Sequence, residues 1–414
     1  MNALTKLVLK GFKTFEDLTF EPLALNVLIG ANGAGKSNFI SFFRLMAWLA
    51  AGNLQYHLGE VGAHRLLHDG PQKTRELEAE ISFNTERGEN QYAFRLAFGA
   101  GDTLFFAEER FRFSEHGRAT KAPWRPLGAG HRESGLIALA EQGNATARTI
   151  RALLQRCVVH QFHNTSVTSR MRLKWRKTDA RYLKEDAGNL GPFLLRLREE
   201  KPLEYGKIVA LLRQIVPFFD DFELDSSNGD LLLGRREIGC DVVFDASQAS
   251  DGMLRTFALV ALLGQPEEDF PNILLLDEPE LGLHPYAIGL IGGMIKSAST
   301  STQIIVATQS AMLVDQFEPA SVIVVEREGR TSSLRRLDPE PLTMWLEQYS
   351  LRGHPCGAWK SVRSFALHPV RADARVRGAL VQRSGAGRCG NVSSRYRSCA
   401  LRDSRVVRNA RGHQ

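Results

Sequence analysis

A glycine-rich loop near the start of the chain has the composition of a phosphate-binding site. The stretch "IGANGAGKSN" occupies residues 29–38 and fits the pattern G-x-x-x-x-G-K-[ST] through Gly30, Ala31, Asn32, Gly33, Ala34, Gly35, Lys36 and Ser37, with Asn38 next. The glycines let backbone N–H groups wrap phosphates, Lys36 can neutralise β- and γ-phosphate charge, and the Ser37 hydroxyl can ligate Mg²⁺. An apolar strand precedes the loop and an apolar helix follows it, so a chance glycine-rich turn is disfavoured. The loop predicts a bound nucleotide and leaves its use open.

Two adjacent carboxylates follow a short apolar strand about 240 residues later, in "ILLLDEPE". Asp277 would hold Mg²⁺, directly or through water, and Glu278 would polarise the attacking water. Neighbouring carboxylates at the end of a buried strand are costly unless a cation or substrate lies beside them. The alternative is a solvated turn that happens to be acidic. The pair therefore predicts nucleotide hydrolysis.

A third segment, "SQASDGMLRT", contains Ser250, Asp251 and Gly252 at the start of a predicted helix. A serine N-cap with a glycine nearby leaves N–H groups and the positive end of the helix dipole available to a γ-phosphate. By itself the pattern is typical of an ordinary capped helix. Its position some 25 residues before the acidic strand favours a role with nucleotide.

The elements that must position these residues follow an α/β rhythm. Before the loop we expect two edge strands that lead into a buried strand, and after it a helix that begins at the loop. Three alternating runs between residues 75 and 113 predict an antiparallel meander, and residues 115–150 read as loop and irregular helix. The later part predicts a strand and polar turn at residues 157–166, two helices broken at Pro202, two strands within residues 229–247, and three buried strands that start near residues 272, 303 and 321.

With these motifs in place, residues 4–349 resemble an ATPase of the ABC class, in the branch of structural-maintenance-of-chromosomes (SMC) and RecF-like proteins. Within this branch it resembles short bacterial AAA-type ATPases with SMC-like heads, several of which belong to anti-phage systems. The entry "LKGFKTFEDLTFEPLALNVLIGANGAGKSNFI" resembles SMC heads, "SDG" stands at the ABC signature, "LLLDEPELGLHP" matches Walker B and the D-loop, and "VATQS" stands at the switch. The resemblance implies ATP and Mg²⁺ as cofactors, and a mostly parallel core sheet with an antiparallel β subdomain and a short helical lobe.

The same resemblance implies a homodimer in which two heads enclose two ATP molecules, so that Ser250 and Gly252 complete the partner's site. Gln309 stands where many family members have histidine; glutamine can orient water or sense phosphate but cannot titrate. For the Mg²⁺-contacting Q-loop residue, Gln161 is the first candidate, with His163 and Asn164 as alternatives. His160 and His163 could be metal ligands, although no partner is spaced to complete a site, which favours ordinary polar loop residues.

Two further places in the chain hold candidate residues, one around Lys13 and one at His284. Lys13 would border the nucleotide, and the aromatic residues Phe12 and Phe15 beside it either do the same or only pack in the core. His284 in "LGLHP" belongs either to a dimer-facing D-loop or to the structural framework.

The charge of the chain is unevenly distributed. The net charge is +7, yet residues 351–414 hold 14 Lys and Arg against two Asp, and the other 350 residues hold 39 basic and 44 acidic side chains. The terminal segment is either a basic arm for nucleic acid or a disordered or frameshift-derived tail, so the overall charge supports no function. We expect an N-terminal lobe at residues 1–165, a helical insertion at 166–230, a C-terminal lobe at 231–349 and a tail at 350–414.

No apolar run reaches the length of a membrane span, and the five cysteines show no spacing typical of zinc sites or a disulfide framework, which agrees with a reducing compartment, so we expect a cytoplasmic protein. The sequence leaves no room for long coiled-coil arms. It predicts a Mg²⁺-dependent ATPase that dimerises on ATP and regulates DNA binding or an associated effector, in genome maintenance or phage defence. The alternative is an ATP-gated sensor with negligible turnover that holds a toxin or nuclease partner.

Overall fold

The computed structural model describes residues 2–118 and 120–337. The predicted end of the ordered fold near Tyr349 and the basic tail at 350–414 lie outside these residues. No helix among them is both long enough and apolar enough to cross a membrane.

The strands are β1 (Ala3–Phe12), β2 (Phe15–Phe20), β3 (Leu25–Ile29), β4 (Glu76–Thr85), β5 (Gly88–Gly99), β6 (Thr103–Glu115), β7 (Arg125–Gly128), β8 (Cys157–His160), β9 (Trp175–Arg176), β10 (Phe219–Glu223), β11 (Ser226–Ser227), β12 (Asp230–Leu231), β13 (Gly234–Glu237), β14 (Val243–Asp245), β15 (Ile273–Asp277), β16 (Gln303–Thr308), β17 (Val322–Glu328) and β18 (Thr331–Arg336). The α-helices are α1 (Lys36–Ala51), α2 (Leu54–Val61), α3 (Leu136–Glu141), α4 (Ala145–Gln155), α5 (Leu190–Glu200), α6 (Pro202–Ile215), α7 (Asp251–Leu263), α8 (Pro285–Ala298) and α9 (Ala311–Val314).

A six-stranded sheet with the order β18-β17-β3-β16-β15-β8 forms the centre of the molecule. Its strands are parallel except β18, which runs antiparallel to β17. The predicted buried strands are confirmed, and β15 and β16 are buried at every position, as continuous apolar runs in parallel sheets require. The edge strand β18 was not predicted, because "TSSLRR" has too few apolar residues to read as a strand. The α/β fold class is confirmed.

A second six-stranded sheet, antiparallel, has the order β2-β1-β4-β5-β6-β7. The predicted meander is confirmed as β4, β5 and β6. The prediction that both entry strands are edge strands is wrong for β1, which lies between β2 and β4. The alternation of buried and exposed residues in a strand reports its two faces, but it does not report whether a neighbour pairs with each edge.

The α1 helix is held against the antiparallel sheet by an aromatic cluster. The ring of Phe12 packs edge-on against Phe42 at a centroid distance of 5.6 Å, and Phe39 meets Phe15 at 6.1 Å and Phe20 at 5.0 Å. Because such rings are fully buried, they contribute large apolar area and fix the direction of the helix. Phe12 and Phe15 therefore have the core-packing role, and the cluster sets where the glycine-rich loop begins.

The segment at residues 115–150 is more regular than predicted. It contains β7, the short helix α3 and most of α4, whose first turn is capped by Asn144 through a 3.0 Å bond from the Ala147 N–H to Oδ1. The two predicted helices of the helical lobe are confirmed as α5 and α6. Pro202 occupies the first turn of α6, where its missing N–H costs nothing.

One buried side chain connects the two large sheets. The Gln303 amide, at the start of β16, accepts a 3.0 Å bond from the Leu4 N–H and donates to the Leu4 and Leu23 carbonyls, both at 3.0 Å. Leu4 belongs to β1, so the Gln303 amide joins the two sheets by bonding both the N–H and the carbonyl of Leu4, as a neighbouring strand's peptide group would.

Candidate nucleotide-binding site

The glycine-rich loop joins the end of β3 to the start of α1, so its N–H groups precede a helix N-terminus. Gly33 and Gly35 have φ angles of 76° and 121°, which L side chains avoid. A Cβ at Gly35 would also lie 2.5 Å from the Ser332 hydroxyl oxygen, so both conformation and space require glycine there. The sequence pattern thus corresponds to a loop whose shape depends on its glycines.

Lys36 is 5% exposed, and its ammonium donates to the carbonyls of Gly30 at 2.7 Å and Ala31 at 3.3 Å. Burial lowers the pKa of Lys36, while Glu278, Asp277 and Glu280 act in the opposite direction. The loop cation and the acidic segment, separated by about 240 residues in sequence, therefore lie close enough to interact electrostatically.

A cleft of about 380 Å³ opens beside the loop, lined in part by Lys13, Asn38 and three arginines, Arg65, Arg327 and Arg330. Lys13 has a φ angle of 48° and donates a 2.7 Å hydrogen bond to the Ser41 hydroxyl. Burial and the nearby Arg44 lower the pKa of Lys13 to about 8. Asn38 donates to the Thr14 hydroxyl at 3.1 Å, and Ser37 is exposed at the start of α1.

Asp277 ends β15 and is 5% exposed. Its Oδ2 accepts a 3.1 Å bond from the Gln161 amide, whereas its Oδ1 is buried without a hydrogen-bond partner among the described residues. Burial raises the pKa of the Asp277 carboxyl, and His163 opposes that effect. A buried carboxylate oxygen without a protein donor fits a hard cation such as Mg²⁺, because the cation would supply the missing interaction.

Glu278 and Gln309, the two predicted catalytic residues, contact each other directly. The Gln309 side-chain NH₂ donates to Glu278 Oε1, and His163 Nε2 lies 3.9 Å from Glu278 Oε2. Glu278 adopts a φ angle of 47°, an uncommon conformation for a residue other than glycine, and its N–H donates to the Ala307 carbonyl at 2.8 Å. The turn after β15 is thereby fixed against the end of β16.

The polar turn after β8 connects these groups. The Gln161 Oε1 accepts from Arg44 at 2.7 Å, and its NH₂ donates to Asp277 and to His163 Nδ1, the latter at 3.0 Å. His163 Nε2 then donates to the Asp277 carbonyl at 3.1 Å. Gln161 is thus beside Asp277 as its predicted role requires, but its nitrogen faces the carboxylate, so coordination of a cation by its oxygen requires rotation of the amide.

The two alternatives to Gln161 lie differently. His163 contacts the acidic pair, whereas the Asn164 side chain accepts from the Ser166 hydroxyl at 2.8 Å and stabilises the turn itself. His160 is buried, and burial lowers its pKa to about 4. Within residues 2–118 and 120–337, no group of three His, Cys, Asp or Glu side chains forms a metal cluster.

The predicted signature segment caps α7. The Ser250 Oγ accepts from the Met253 N–H at 3.3 Å, and Asp251 pairs with Arg172 at 3.1 Å. Gly252 allows a close approach to the loop after the acidic pair, because a Cβ there would lie 2.6 Å from the Gly282 carbonyl oxygen. In the described part of the chain, no hydrogen bond joins Ser250 to the phosphate loop.

Sequence reasoning missed two residues that organise the site. The Arg255 guanidinium donates to the carbonyls of Phe162 and His163, both at 2.9 Å, and to that of Leu281 at 3.1 Å. It therefore ties the signature helix to the polar turn after β8 and to the loop after β15. An isolated arginine on an apolar helix gives only a weak sequence signal, because long cationic side chains usually extend into solvent.

Glu280 is the second missed residue. Its Oε1 accepts from the Thr308 hydroxyl at 2.6 Å and from the Gln309 N–H at 3.2 Å, and its Oε2 is buried without a partner among the described residues. The sequence signal that could have identified Glu280 is its position as the third acidic residue of "DEPE". Nearby, His284 caps α8 by accepting from the Tyr286 N–H at 3.3 Å, which gives it a structural role.

Comparison with known sequences decides the family. The profile described as "AAA domain, putative AbiEii toxin, Type IV TA system" matches residues 25–137 and 161–315. The chain belongs to this AAA family. The matched ranges contain the phosphate loop, Gln161, Ser250, the acidic pair and Gln309. A comparison with curated protein sequences gives no significant match.

Solved structures show the fold of this AAA family member. The chain resembles an Smc head bound to the C-winged helix domain of ScpA, with a TM-score of 0.57 and 16% identity over 83% of this chain and 99% of that one. It also resembles an Smc head with an extended coiled coil, bound to the C-terminal domain of ScpA derived from Pyrococcus furiosus, with a TM-score of 0.50 and 16% identity over 84% and 99%. The chain is thus an AAA-type member of an ATP-binding ATPase family with the fold of an SMC head.

Proposed function

We propose that this chain is a Mg²⁺-dependent ATPase whose heads dimerise on ATP and use that closure to regulate DNA binding or an associated effector. One observation carries the proposal. The phosphate loop, Gln161, the acidic pair and Gln309 follow β3, β8, β15 and β16, four parallel strands whose carboxyl ends share one edge of the sheet. Ligands of open α/β sheets bind at this edge.

The roles follow from the geometry of the side chains. Loop N–H groups and Lys36 would hold the phosphates, while Asp277 Oδ1, Ser37 and a rotated Gln161 amide would hold Mg²⁺, which when bound would neutralise phosphate charge. Glu278 would accept a proton from water, and the Gln309 amide on its Oε1 would orient it. Lys13 and the arginine-lined cleft would border the rest of the nucleotide.

Dimerisation is supported by what surrounds the site. Leu281, Tyr286 and Met312 lie in the loop after β15, on α8 and on α9, and remain 42%, 55% and 47% exposed. Apolar groups exposed next to a charged site are typical of an interaction surface, and a second copy of this chain would cover them. The Ser250 cap of one copy would then meet the nucleotide held by the other.

A pair of variants tests the proposal. Glu278→Gln should bind ATP, hydrolyse it about 10²–10⁴-fold more slowly and accumulate as a dimer, because the group that accepts the proton is lost. Ser250→Arg should bind ATP as a monomer, because a bulky cation would replace the small cap. Sedimentation of each variant with and without ATP is the measurement. A monomeric Glu278→Gln protein saturated with ATP would refute the shared site.

A second candidate is an ATP-gated sensor with negligible turnover that holds a toxin or nuclease partner. The description of the matched family, which names a toxin and a type IV toxin–antitoxin system, favours it. Phosphate release by the wild-type dimer, measured with and without DNA, separates the two candidates. Steady turnover supports the regulated ATPase, whereas stoichiometric ATP retention without turnover supports the sensor.

A further inference from the structure

A strongly basic segment follows the polar turn of the site. Residues 165–189 hold seven Lys and Arg against three acidic residues, Asp179, Glu185 and Asp186, whereas residues 1–350 as a whole hold 39 basic and 44 acidic side chains. The remainder of the head is therefore acidic, and this stretch concentrates its positive charge. We call residues 165–189 the basic segment.

The backbone of the basic segment is held in a defined shape despite having little regular secondary structure. The fully buried Asn189 accepts from the Lys184 N–H at 2.9 Å and donates to the carbonyls of Asp179 and Tyr182 at 2.8 and 2.9 Å. Trp175 in β9 donates to the Arg170 carbonyl at 2.9 Å. The cations are thus displayed on a framework that exists before any ligand binds, which lowers the entropy cost of binding.

The basic segment exposes cations together with an aromatic side chain. Lys174, Arg176 and Arg181 are exposed and have no acidic partner among the described residues. Tyr182 is 48% exposed, with the Arg181 guanidinium 5.2 Å from its ring. Other cations of the segment form exposed ion pairs, such as Lys177 with Glu199 at 3.0 Å, and such pairs are weak enough to exchange partners.

We propose that the basic segment is a nucleic-acid-binding surface, with Lys174, Arg176 and Arg181 on the phosphate backbone and Tyr182 available to stack on an unpaired base. Spaced cations beside an exposed aromatic ring match the alternation of phosphates and bases along a strand. An acidic protein would satisfy the charges but would leave the tyrosine without a planar partner. The proposal refines the proposed function, since it names the partner that the ATPase would regulate.

The basic segment is attached to the nucleotide site by one side chain. Arg172, whose side chain is 9% exposed, donates to the carbonyls of Ala246, Ser247 and Ala249 at 2.5, 2.9 and 3.0 Å, and pairs with Asp251 at 3.1 Å. These acceptors flank Ser250, the cap of the signature helix. A nucleic-acid strand bound to the basic segment would therefore affect the position of Ser250, which would complete the ATP site of the second copy.

Site-specific crosslinking tests the surface directly. Tyr182→p-benzoylphenylalanine in the full chain should crosslink to a fluorescein-labelled oligonucleotide on illumination. Tyr56, which is 68% exposed on α2, is the matched control position and should give no crosslink. Equal crosslinking from both positions, or none from position 182, would overturn the proposal. The readout reports one location, so the 14 basic residues of the terminal segment do not obscure it.

Charge reversal provides a second measurement. A variant carrying Lys174→Glu, Arg176→Glu and Arg181→Glu should bind the oligonucleotide at least about tenfold more weakly, and the slope of log affinity against log salt should fall by about one per lost phosphate contact. The control carries Lys6→Glu, Arg87→Glu and Lys207→Glu, three exposed cations without acidic partners among the described residues. Equal losses in both variants would contradict the assignment, because charge alone would then explain them.

Two further experiments distinguish nucleic acid from an acidic protein as the ligand, and neither depends on ATP hydrolysis. Polyglutamate should compete poorly with the oligonucleotide; competition at equal charge concentration would point to an acidic protein and overturn the proposal. Single-stranded and duplex DNA are compared with Tyr182→Ala, which should weaken only single-strand binding. All binding is measured without nucleotide and again with ATP on Glu278→Gln, so an inactive ATPase with intact DNA binding would refute the proposed function alone.

Discussion

Two buried carboxylates, one in each large sheet, have opposite surroundings. Asp277, at the end of the parallel strand β15, has one oxygen without a partner among the described residues. Glu109, in the antiparallel strand β6, is 0% exposed and has both oxygens satisfied. Its donors are Tyr92 and Ser134, both at 2.5 Å, His131 at 2.7 Å and the Gly135 N–H at 2.8 Å.

The difference separates a structural acid from a functional one. Four donors replace the water that Glu109 loses on burial, so the group can join β6 to the loop before α3 at little net cost. Asp277 lacks such compensation, and a residue that costs stability without it is best explained by a ligand that binds there. Burial of a carboxylate therefore does not by itself indicate a ligand-binding site. A buried carboxylate oxygen without a hydrogen-bond donor does.

The largest expected effect is on activity. Asp277→Asn should reduce ATP hydrolysis by on the order of 10³-fold, because a neutral amide binds Mg²⁺ far more weakly than a carboxylate and several kcal/mol of transition-state stabilisation are lost. The same change should leave the melting temperature unchanged or raise it. Because burial raises the pKa of Asp277, its ionisation lowers the stability of the folded state as pH rises from the ordinary pKa of 3.8 to the raised value, and asparagine cannot ionise. Phosphate release and thermal melting are the measurements, and a large fall in melting temperature would contradict the comparison.

The matching change at Glu109 should have the reverse outcome. Glu109→Ala should cost about 3 kcal/mol of unfolding free energy, because four donors lose their acceptor in the interior. ATP hydrolysis per folded molecule should stay at the wild-type level. Denaturant unfolding and active-fraction measurements test this. Glu108→Ala, at an exposed position on the same strand, is the control and should change stability by less than about 1 kcal/mol.

A smaller effect is expected at Glu280, which combines both situations in one side chain. Glu280→Ala should lower kcat about tenfold with little change in KM. The Thr308 hydroxyl and the Gln309 N–H would lose their acceptor, and Gln309 would then no longer be held in contact with Glu278. Glu280→Gln keeps an acceptor oxygen and should restore most of the rate. If glutamine is as slow as alanine, the positioning role is wrong.

The last prediction concerns a partly exposed lysine. Burial and Arg44 lower the pKa of Lys13 from 10.5 to about 8, so the folded state releases a proton that the unfolded state keeps. Stability should therefore rise with pH between about 8 and 10.5 and gain nothing from this residue below that window. Lys13→Met should flatten this rise in denaturant titrations across the window. An unchanged slope would show that another group titrates.

Sequence pattern predicts the parts of this molecule that depend on local chemistry. The glycine-rich loop, the serine cap of α7, the proline at the start of α6 and the apolar runs of the parallel sheet each require particular residue types, so they can be recognised without coordinates. The acidic pair could be placed at a strand end for the same reason. That one Asp277 oxygen has no partner among the described residues could not be predicted, because this depends on which side chains from α1 and from the turn after β8 approach it.

The features that sequence did not predict depend on distant pairing. The interior position of β1 depends on β4, some 70 residues away, and β18 is stabilised by pairing with β17 rather than by its own apolar content. Arg255 and Arg172 resemble surface cations in the sequence. Their acceptors are backbone carbonyls on other loops, and because every residue has a carbonyl, the sequence does not show which ones an arginine will contact. The roles of Gln309 and the D-loop in a dimer stay predictions.

The Gln303 amide couples movements of β16 to movements of β1. It lies at the opposite end of β16 from Gln309, and it satisfies both the donor and the acceptor of Leu4. A displacement of β16 along its axis would have to break these buried bonds or move β1 with it. Because β1 pairs with β4, such a movement would also shift the strands of the antiparallel sheet.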